Sequence, residues 1–185
     1  MIQYYKGIPI KDIIYHGTIH QFDEVDTNKG KNYKDFGKGF YLAFKKEQSV
    51  KLAQKYIRKE HLRSGVIYSY QTNVEEFQKL VDVGRVKYFK EADYDWIDFV
   101  LRSRDTRGVW HNYDIVIGPT ADDDTKYCLD MYKQGEYGPV GSELAKQVLL
   151  NNLEIDNLGV QVFIANENGL RILNQITRKT ERVTL

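Results

Sequence analysis

The chain is poor in the residues that cross-link a polypeptide or divide it into domains. It has a single cysteine, Cys128, so neither an internal disulfide nor a cysteine metal cluster can form. Its 3 prolines are too few to mark a linker, and no internal repeat or low-complexity tract is present. We therefore expect one domain that spans residues 1–185.

Long hydrophobic runs and an excess of one charge are also missing. The first residues lack the apolar core of a signal peptide, and no stretch is long enough to span a membrane. These absences predict a cytoplasmic protein with no membrane partner, although export by a signal-free route leaves the same sequence. With 27 Lys and Arg against 26 Asp and Glu, the net charge of +1 gives no global reason to expect a nucleic-acid partner.

The apolar residues predict short strands and helices in an irregular order. Strands are expected at 13–17, 39–43, 66–70, 113–119, 159–165 and 178–185. Helices are expected at 47–62, 95–104, 142–150 (with Ser142 as the N-cap) and 169–173. Because the order has no regular βαβ rhythm, it favours an α+β fold over a doubly wound parallel sheet.

Two glycine-containing segments stand out beside these strands. The letters YHGT at 15–18 end the first strand, and GKGFY at 37–41 leads into the second. A histidine next to a glycine, followed by two glycines and two aromatic residues, is a pattern that can hold a flat, polar ligand. Neither segment is a GxGxxG dinucleotide fingerprint or a GxxxxGK[ST] phosphate loop. A third polar position is Gln161, on the strand predicted near the C-terminus.

In this order the three pieces resemble the ADP-ribosyltransferase superfamily, in its His-Tyr-Glu branch, which includes the poly-ADP-ribose polymerases and the diphtheria-type toxins. The nearest resemblance is to an uncharacterised, mostly bacterial family with the motifs YHG, DFGKGFYLT and YDIVIGPxADD. The last motif is present here at 113–123, and the resemblance covers roughly 12–173. It implies two small packed antiparallel sheets, flanking helices, and NAD held in the cleft between the sheets.

The resemblance also implies roles for individual residues. His16 would bond a ribose hydroxyl, Gly17 would offer its backbone to the nicotinamide amide, and Tyr41 would stack on the nicotinamide ring. Phe40 would point to the opposite side, into the core, because neighbours on a strand alternate. The complete set of implied NAD-binding residues is His16, Gly17, Thr18, Gly37, Gly39, Phe40 and Tyr41.

The implied activity is cleavage of NAD, as a co-substrate, and transfer of ADP-ribose to a protein or nucleic-acid acceptor, with His16, Tyr41 and Gln161 as catalytic residues. The superfamily usually has a glutamate where Gln161 stands, and a neutral amide stabilises an oxocarbenium-like sugar less well than a carboxylate. Three interpretations stay open. Gln161 positions the sugar, or another acid replaces the glutamate, or NAD is bound and not cleaved. The candidate replacement acids are Glu154, Asp156, Glu167, Asp122, Asp123 and Asp124.

Simpler interpretations stand beside these. His16 alone is typical of a structural histidine, Tyr41 of a buried strand aromatic and Gln161 of a surface strand residue. The acidic run 122–124 is typical of a helix start rather than a metal site, so we expect no metal. The arginines of 102–107 are expected to pair with those acids, or else to contact an anion. The rival functions are an NAD glycohydrolase, a non-catalytic NAD or ADP-ribose-binding module, and an interaction domain without a nucleotide site.

Overall fold

A computed structural model of the protein describes residues 1–120, 123–153 and 159–185, with the side chains of 123 and 124 left out. The strands are β1 (Ile2–Tyr5), β2 (Ile8–Lys11), β3 (Ile13–Thr18), β4 (Phe40–Ala43), β5 (Gly65–Thr72), β6 (Val86–Tyr88), β7 (Ile115–Pro119), β8 (Val160–Ile164) and β9 (Leu173–Val183). The helices are α1 (Lys46–Lys59), α2 (Val74–Asp82), α3 (Tyr94–Asp105), α4 (Asp123–Lys133), α5 (Glu143–Asn152) and α6 (Glu167–Leu170).

The strands form a two-stranded hairpin, β1-β2, and a seven-stranded mixed sheet in the order β6-β7-β8-β4-β3-β5-β9. In the large sheet only the β6–β7 pair is parallel. The predicted α+β class is therefore confirmed. The expected count of two small antiparallel sheets is wrong, because β3 and β4 still pair at Tyr15 and Ala43 and join the two halves into one sheet.

Helices cover the sheet because its strands are apolar on both faces. β7 reads IVIGP and all five residues are buried, as expected for a strand packed on both sides. In α1, the buried residues Ser49, Ala53 and Ile57 recur every four positions, so one side of this helix packs against β3 and β5. Ser142 caps α5 by accepting a hydrogen bond from the backbone N–H of Ala145, which confirms the predicted N-cap.

Two apolar clusters divide the interior. The first joins one face of the sheet, including Phe40 and Tyr70, to the hairpin through Ile10 and to α2 through Phe77. The second joins the other face, where Phe163 lies, to α3, α4 and α5. None of the described helices combines the length and the apolar character that crossing a membrane requires.

Candidate functional site

The sheet begins to open where β3 meets β4. β3 pairs with β5 along its whole length, from Ile13 to Thr18, but with β4 at the single pair Tyr15–Ala43. The rest of β4 pairs with β8 on its other side. We call this place, where 16–18 and 40–42 run side by side without a ladder, the β3–β4 junction. It contains both glycine-containing segments singled out from the sequence.

His16 ties the two strands together at this junction. Its Nδ1 lies 2.7 Å from the carbonyl oxygen of Tyr41, and because a carbonyl only accepts, Nδ1 carries the proton and donates. The imidazole packs against the Phe40 ring, with 4.4 Å between centroids, and against Phe22. Burial lowers the pKa of His16 to about 4. The imidazole is therefore neutral near pH 7 and holds the Tyr41 backbone in position.

Gly17 is required by the packing of α1. A Cβ at this position would lie 2.0 Å from the backbone oxygen of Ser49, in the first turns of that helix. The Ser49 hydroxyl donates to the carbonyl oxygen of Tyr15 at 3.0 Å, which fixes the helix over the strand. Next to Gly17, the Thr18 hydroxyl oxygen accepts from the backbone N–H of His20 at 3.1 Å. The close approach of α1 thus explains why position 17 is a glycine, without any ligand.

Tyr41 lies on the opposite face of β4 from Phe40. The Tyr41 ring packs on Phe163, with 5.0 Å between centroids. Its hydroxyl donates to the carbonyl oxygen of Gly37 at 2.7 Å and accepts from the backbone N–H of Phe36 at 3.0 Å. Burial, followed by the nearby Asp35 carboxylate, raises the pKa of Tyr41 well above its usual value. Phe40 is buried in the first cluster, as predicted.

Gly37 and Gly39 allow close approach of backbone to backbone. Gly37 has φ +103°, and a Cβ on it would lie 3.0 Å from the carbonyl oxygen of Gly108. A Cβ on Gly39 would lie 2.4 Å from the carbonyl oxygen of Ile164. Lys38 N–H donates to the same Gly108 oxygen at 3.0 Å. The segment is therefore held between β8 and the loop that follows α3.

Gln161 is buried rather than exposed, so its interpretation as a surface strand residue is wrong. Its Nε2 donates to Asp35 Oδ2 at 3.0 Å and to the carbonyl oxygen of Pro119 at 3.1 Å. The other oxygen of Asp35 accepts from Arg104 Nη2 at 2.6 Å and from Nε at 3.0 Å. We call Asp35, Tyr41, Arg104 and Gln161 the Asp35 cluster.

Asp35 is a candidate site residue that reasoning from the sequence missed. It is the first residue of the DFGKGFYLA segment, so the motif itself was the available signal. Arg104 was expected to pair with the acids of 122–124, whose side chains are outside the described residues, and its described partner is Asp35. The acids at 122, 154 and 156 also lie outside the described residues. Glu167 is exposed in α6.

Strand register decides which predicted residues share a face. Directly opposed residues of antiparallel strands point to the same side of a sheet. Extending the Tyr15–Ala43 register sets Gly17 opposite Tyr41, and Ala43 pairs with Gln161 across β4 and β8. Gly17, Tyr41 and Gln161 therefore share one face. The imidazole of His16 lies on the other face, beside Phe40.

Arg102, a second arginine of α3, lines a surface cavity whose lining does not include Gln161. Arg102 stacks over the Trp110 ring at 3.9 Å. The cavity, of about 490 Å³, is also lined by Lys87, His111 and Tyr113. The Nε2 atom of His111 is already engaged with the protein, because it lies 2.9 Å from the carbonyl oxygen of Phe36.

Comparison with known proteins finds one family and no individual relative. A family described as "Protein of unknown function (DUF3990)" matches residues 13–175, from the start of β3 into β9. No curated protein and no solved structure matches the chain. The matched region includes the β3–β4 junction and the whole Asp35 cluster. Since it spans well over half of the sequence, the chain belongs to the DUF3990 family.

Proposed function

We propose that the protein is an ADP-ribosyltransferase that binds NAD at the β3–β4 junction. The observation that carries this proposal is the opening of the sheet at that point, with Gly17, Tyr41 and Gln161 on one face. His16 supports it as a positioning residue, because its hydrogen bond holds the Tyr41 backbone from the other face. In this proposal the halves β6-β7-β8-β4 and β3-β5-β9 correspond to the two sheets of an ADP-ribosyltransferase-like fold.

The proposed chemistry uses three contacts at the β3–β4 junction. The backbone of Gly17 would bond the nicotinamide carboxamide, the Tyr41 ring would stack on the pyridinium, and Gln161 would hold a ribose hydroxyl. The C–N glycosidic bond then breaks, and its electron pair goes to the ring nitrogen, which loses its positive charge as nicotinamide leaves. The acceptor nucleophile forms the new bond to the sugar carbon and releases its proton to the solvent. Groups that stabilise the oxocarbenium-like sugar lower the barrier.

Labelled NAD provides the direct test. Purified protein is incubated with NAD labelled on the adenosine half, with and without a cell lysate, and nicotinamide release and label transfer are measured. We expect nicotinamide release, macromolecular label, and loss of both in Tyr41→Ala and Gln161→Ala. Ile176→Ser is the matched control, because Ile176 is 98% exposed and lies on β9, outside the junction. A folded wild-type protein that neither binds nor cleaves NAD contradicts the proposal.

A second candidate is a non-catalytic NAD or ADP-ribose-binding module. It is favoured by the neutral side chain of Gln161 and by the engagement of its Nε2 with Asp35 and Pro119. Calorimetry separates the two candidates, since the module binds NAD and returns it unchanged. An NAD glycohydrolase is separated by its product, free ADP-ribose formed without any acceptor.

A further inference from the structure

We infer that Asp35 is a positioning residue for Gln161, in a site built for an amide and not for a carboxylate at position 161. The inference rests on the proposed function for the identity of the ligand, which is a sugar hydroxyl group. The hydrogen bonds that support it are independent of that function.

The two partners of Gln161 determine which way its amide points. A carbonyl oxygen such as that of Pro119 can only accept, and an Asp35 carboxylate paired with Arg104 also only accepts. The amide nitrogen must therefore face both of them, and its two N–H groups are both used. Among the residues that the structure describes, no side chain or backbone group donates to Gln161 Oε1. That oxygen is the acceptor left for a ligand hydroxyl.

A glutamate at position 161 does not fit these surroundings. It would bring one carboxylate to about 3.0 Å from another, and it would face the Pro119 carbonyl oxygen with no proton to share. Two carboxylates this close cannot both ionise, so one pKa rises strongly. These surroundings thus favour glutamine over glutamate at position 161. The negative charge of the site belongs to Asp35, one hydrogen bond further from the ligand.

Arg104 keeps that charge in place. It binds Asp35 Oδ1 through two nitrogen atoms, and Asp35 Oδ2 accepts from Gln161. The side chains of Asp35 and Arg104 are only 9% and 15% exposed, so water competes little for these bonds. Asp35 comes from the loop before β4, Arg104 from α3 and Gln161 from β8. The orientation of Gln161 therefore depends on the docking of three separate elements.

The test is a double-mutant cycle in the full chain with Asp35→Asn, Gln161→Glu and the combined variant. In the combined variant, the new amide at position 35 can donate to the new carboxylate at position 161 while its oxygen still accepts from Arg104. The pair is thereby restored with reversed polarity. Unfolding midpoints are measured in urea at pH 7.5 and pH 5. Nicotinamide release is measured in parallel, with kcat and KM separated.

We expect Gln161→Glu to lower the unfolding midpoint relative to the wild type at pH 7.5, and to lower it by less at pH 5, where the two carboxyl groups share a proton. The combined variant is expected to be more stable than the sum of the single changes. Asp35→Asn is expected to lower kcat at least about tenfold with little change in KM, because it disorients the hydroxyl acceptor. Asp114→Asn is the control, since it breaks the pair between the buried Asp114 and the partly exposed Arg85 and touches no member of the Asp35 cluster.

The outcomes separate the inference from the proposed function. If Gln161→Glu is as stable as the wild type at pH 7.5 and the cycle is additive, the inference is overturned. If Gln161→Glu cleaves NAD as well as the wild type, the inference is again overturned while the proposed function stands. If the wild type does not act on NAD but the cycle shows coupling and the pH response, the proposed function fails and the Asp35–Gln161 assignment is supported.

Discussion

His16 donates from Nδ1 to the carbonyl oxygen of Tyr41, 25 positions further along the chain, at 2.7 Å. This bond crosses the β3–β4 junction, where the backbone ladder is reduced to one residue pair. A side chain therefore connects the two strands where backbone pairing is missing. The junction and the Asp35 cluster lead to four measurable expectations.

The stability of the protein is expected to fall between about pH 6.5 and pH 4 because of His16. Its pKa is lowered by burial from the ordinary value of 6.5 to about 4, so the unfolded chain takes up the proton first as the pH falls. The contribution is complete above pH 6.5 and is lost as the pH drops toward 4. Urea unfolding across this range should show a flatter profile for His16→Gln. His20→Gln, at an exposed position, is the control, and an unchanged profile for His16→Gln would refute the prediction.

Gly17→Ala is expected to destabilise the protein by about 2 kcal/mol or more, because an added methyl group must displace the backbone of α1. The Cβ would lie 2.0 Å from Ser49 O. Gly84→Ala is the matched control, since its Cβ meets no atom within 4 Å and only its φ of +68° opposes the change. We expect that control to cost about 1 kcal/mol. Equal urea midpoints for the two variants would contradict the packing explanation.

Tyr41→Phe is expected to cost about 1–3 kcal/mol, because it leaves the buried Phe36 N–H without its partner. The Gly37 carbonyl oxygen loses its donor in the same change. The aromatic ring remains, so under the proposed function KM for NAD should rise less than in Tyr41→Ala. Thermal unfolding and NAD titration measure the two effects. Tyr127→Phe, at a 64% exposed position, should change neither, and a Tyr41→Phe variant as stable as that control would count against the hydroxyl's role.

Arg104→Met is expected to destabilise the protein by about 3–5 kcal/mol, since it leaves the buried Asp35 carboxylate without its cation. The comparison is Lys46→Met, which removes an ion pair with Glu181 whose side chains are 39% and 61% exposed. That change should cost no more than about 1 kcal/mol. Urea unfolding of both variants in the same buffer checks the difference. A loss for Arg104→Met no larger than that for Lys46→Met would contradict the prediction.

Local sequence patterns predicted many of the elements near the site. Strands β3, β4, β7 and β8 and helices α1, α3 and α5 lie where apolar periodicity or β-branched runs indicated them. The patterns missed the hairpin β1-β2, the three-residue strand β6, and helices α2 and α4. The hairpin strands and β6 are short, and α2 has Phe77 as its buried residue. Helix α4 is longer and buries Cys128, Leu129 and Tyr132. Their stability comes from neighbours that are distant in sequence.

The sequence by itself determined what depends on adjacent residues. It determined that Phe40 and Tyr41 point to opposite faces of β4, since side chains alternate along a strand. It singled out the two glycine-containing segments, 15–18 and 37–41, and the polar residue at position 161. It also determined the cap of α5, because a serine side chain can reach the N–H groups of the first helical turn.

Only the tertiary structure decided which distant groups meet. Asp35 and Gln161 are 126 positions apart, and they bond because β4, which follows Asp35, pairs with β8, which carries Gln161. The strict need for glycine at position 17 comes from the carbonyl of Ser49 in α1, which no motif around that glycine reveals. Strand order and helix docking are set by burial of the whole chain. A hydrogen bond that depends on them therefore cannot be inferred from either of its segments alone.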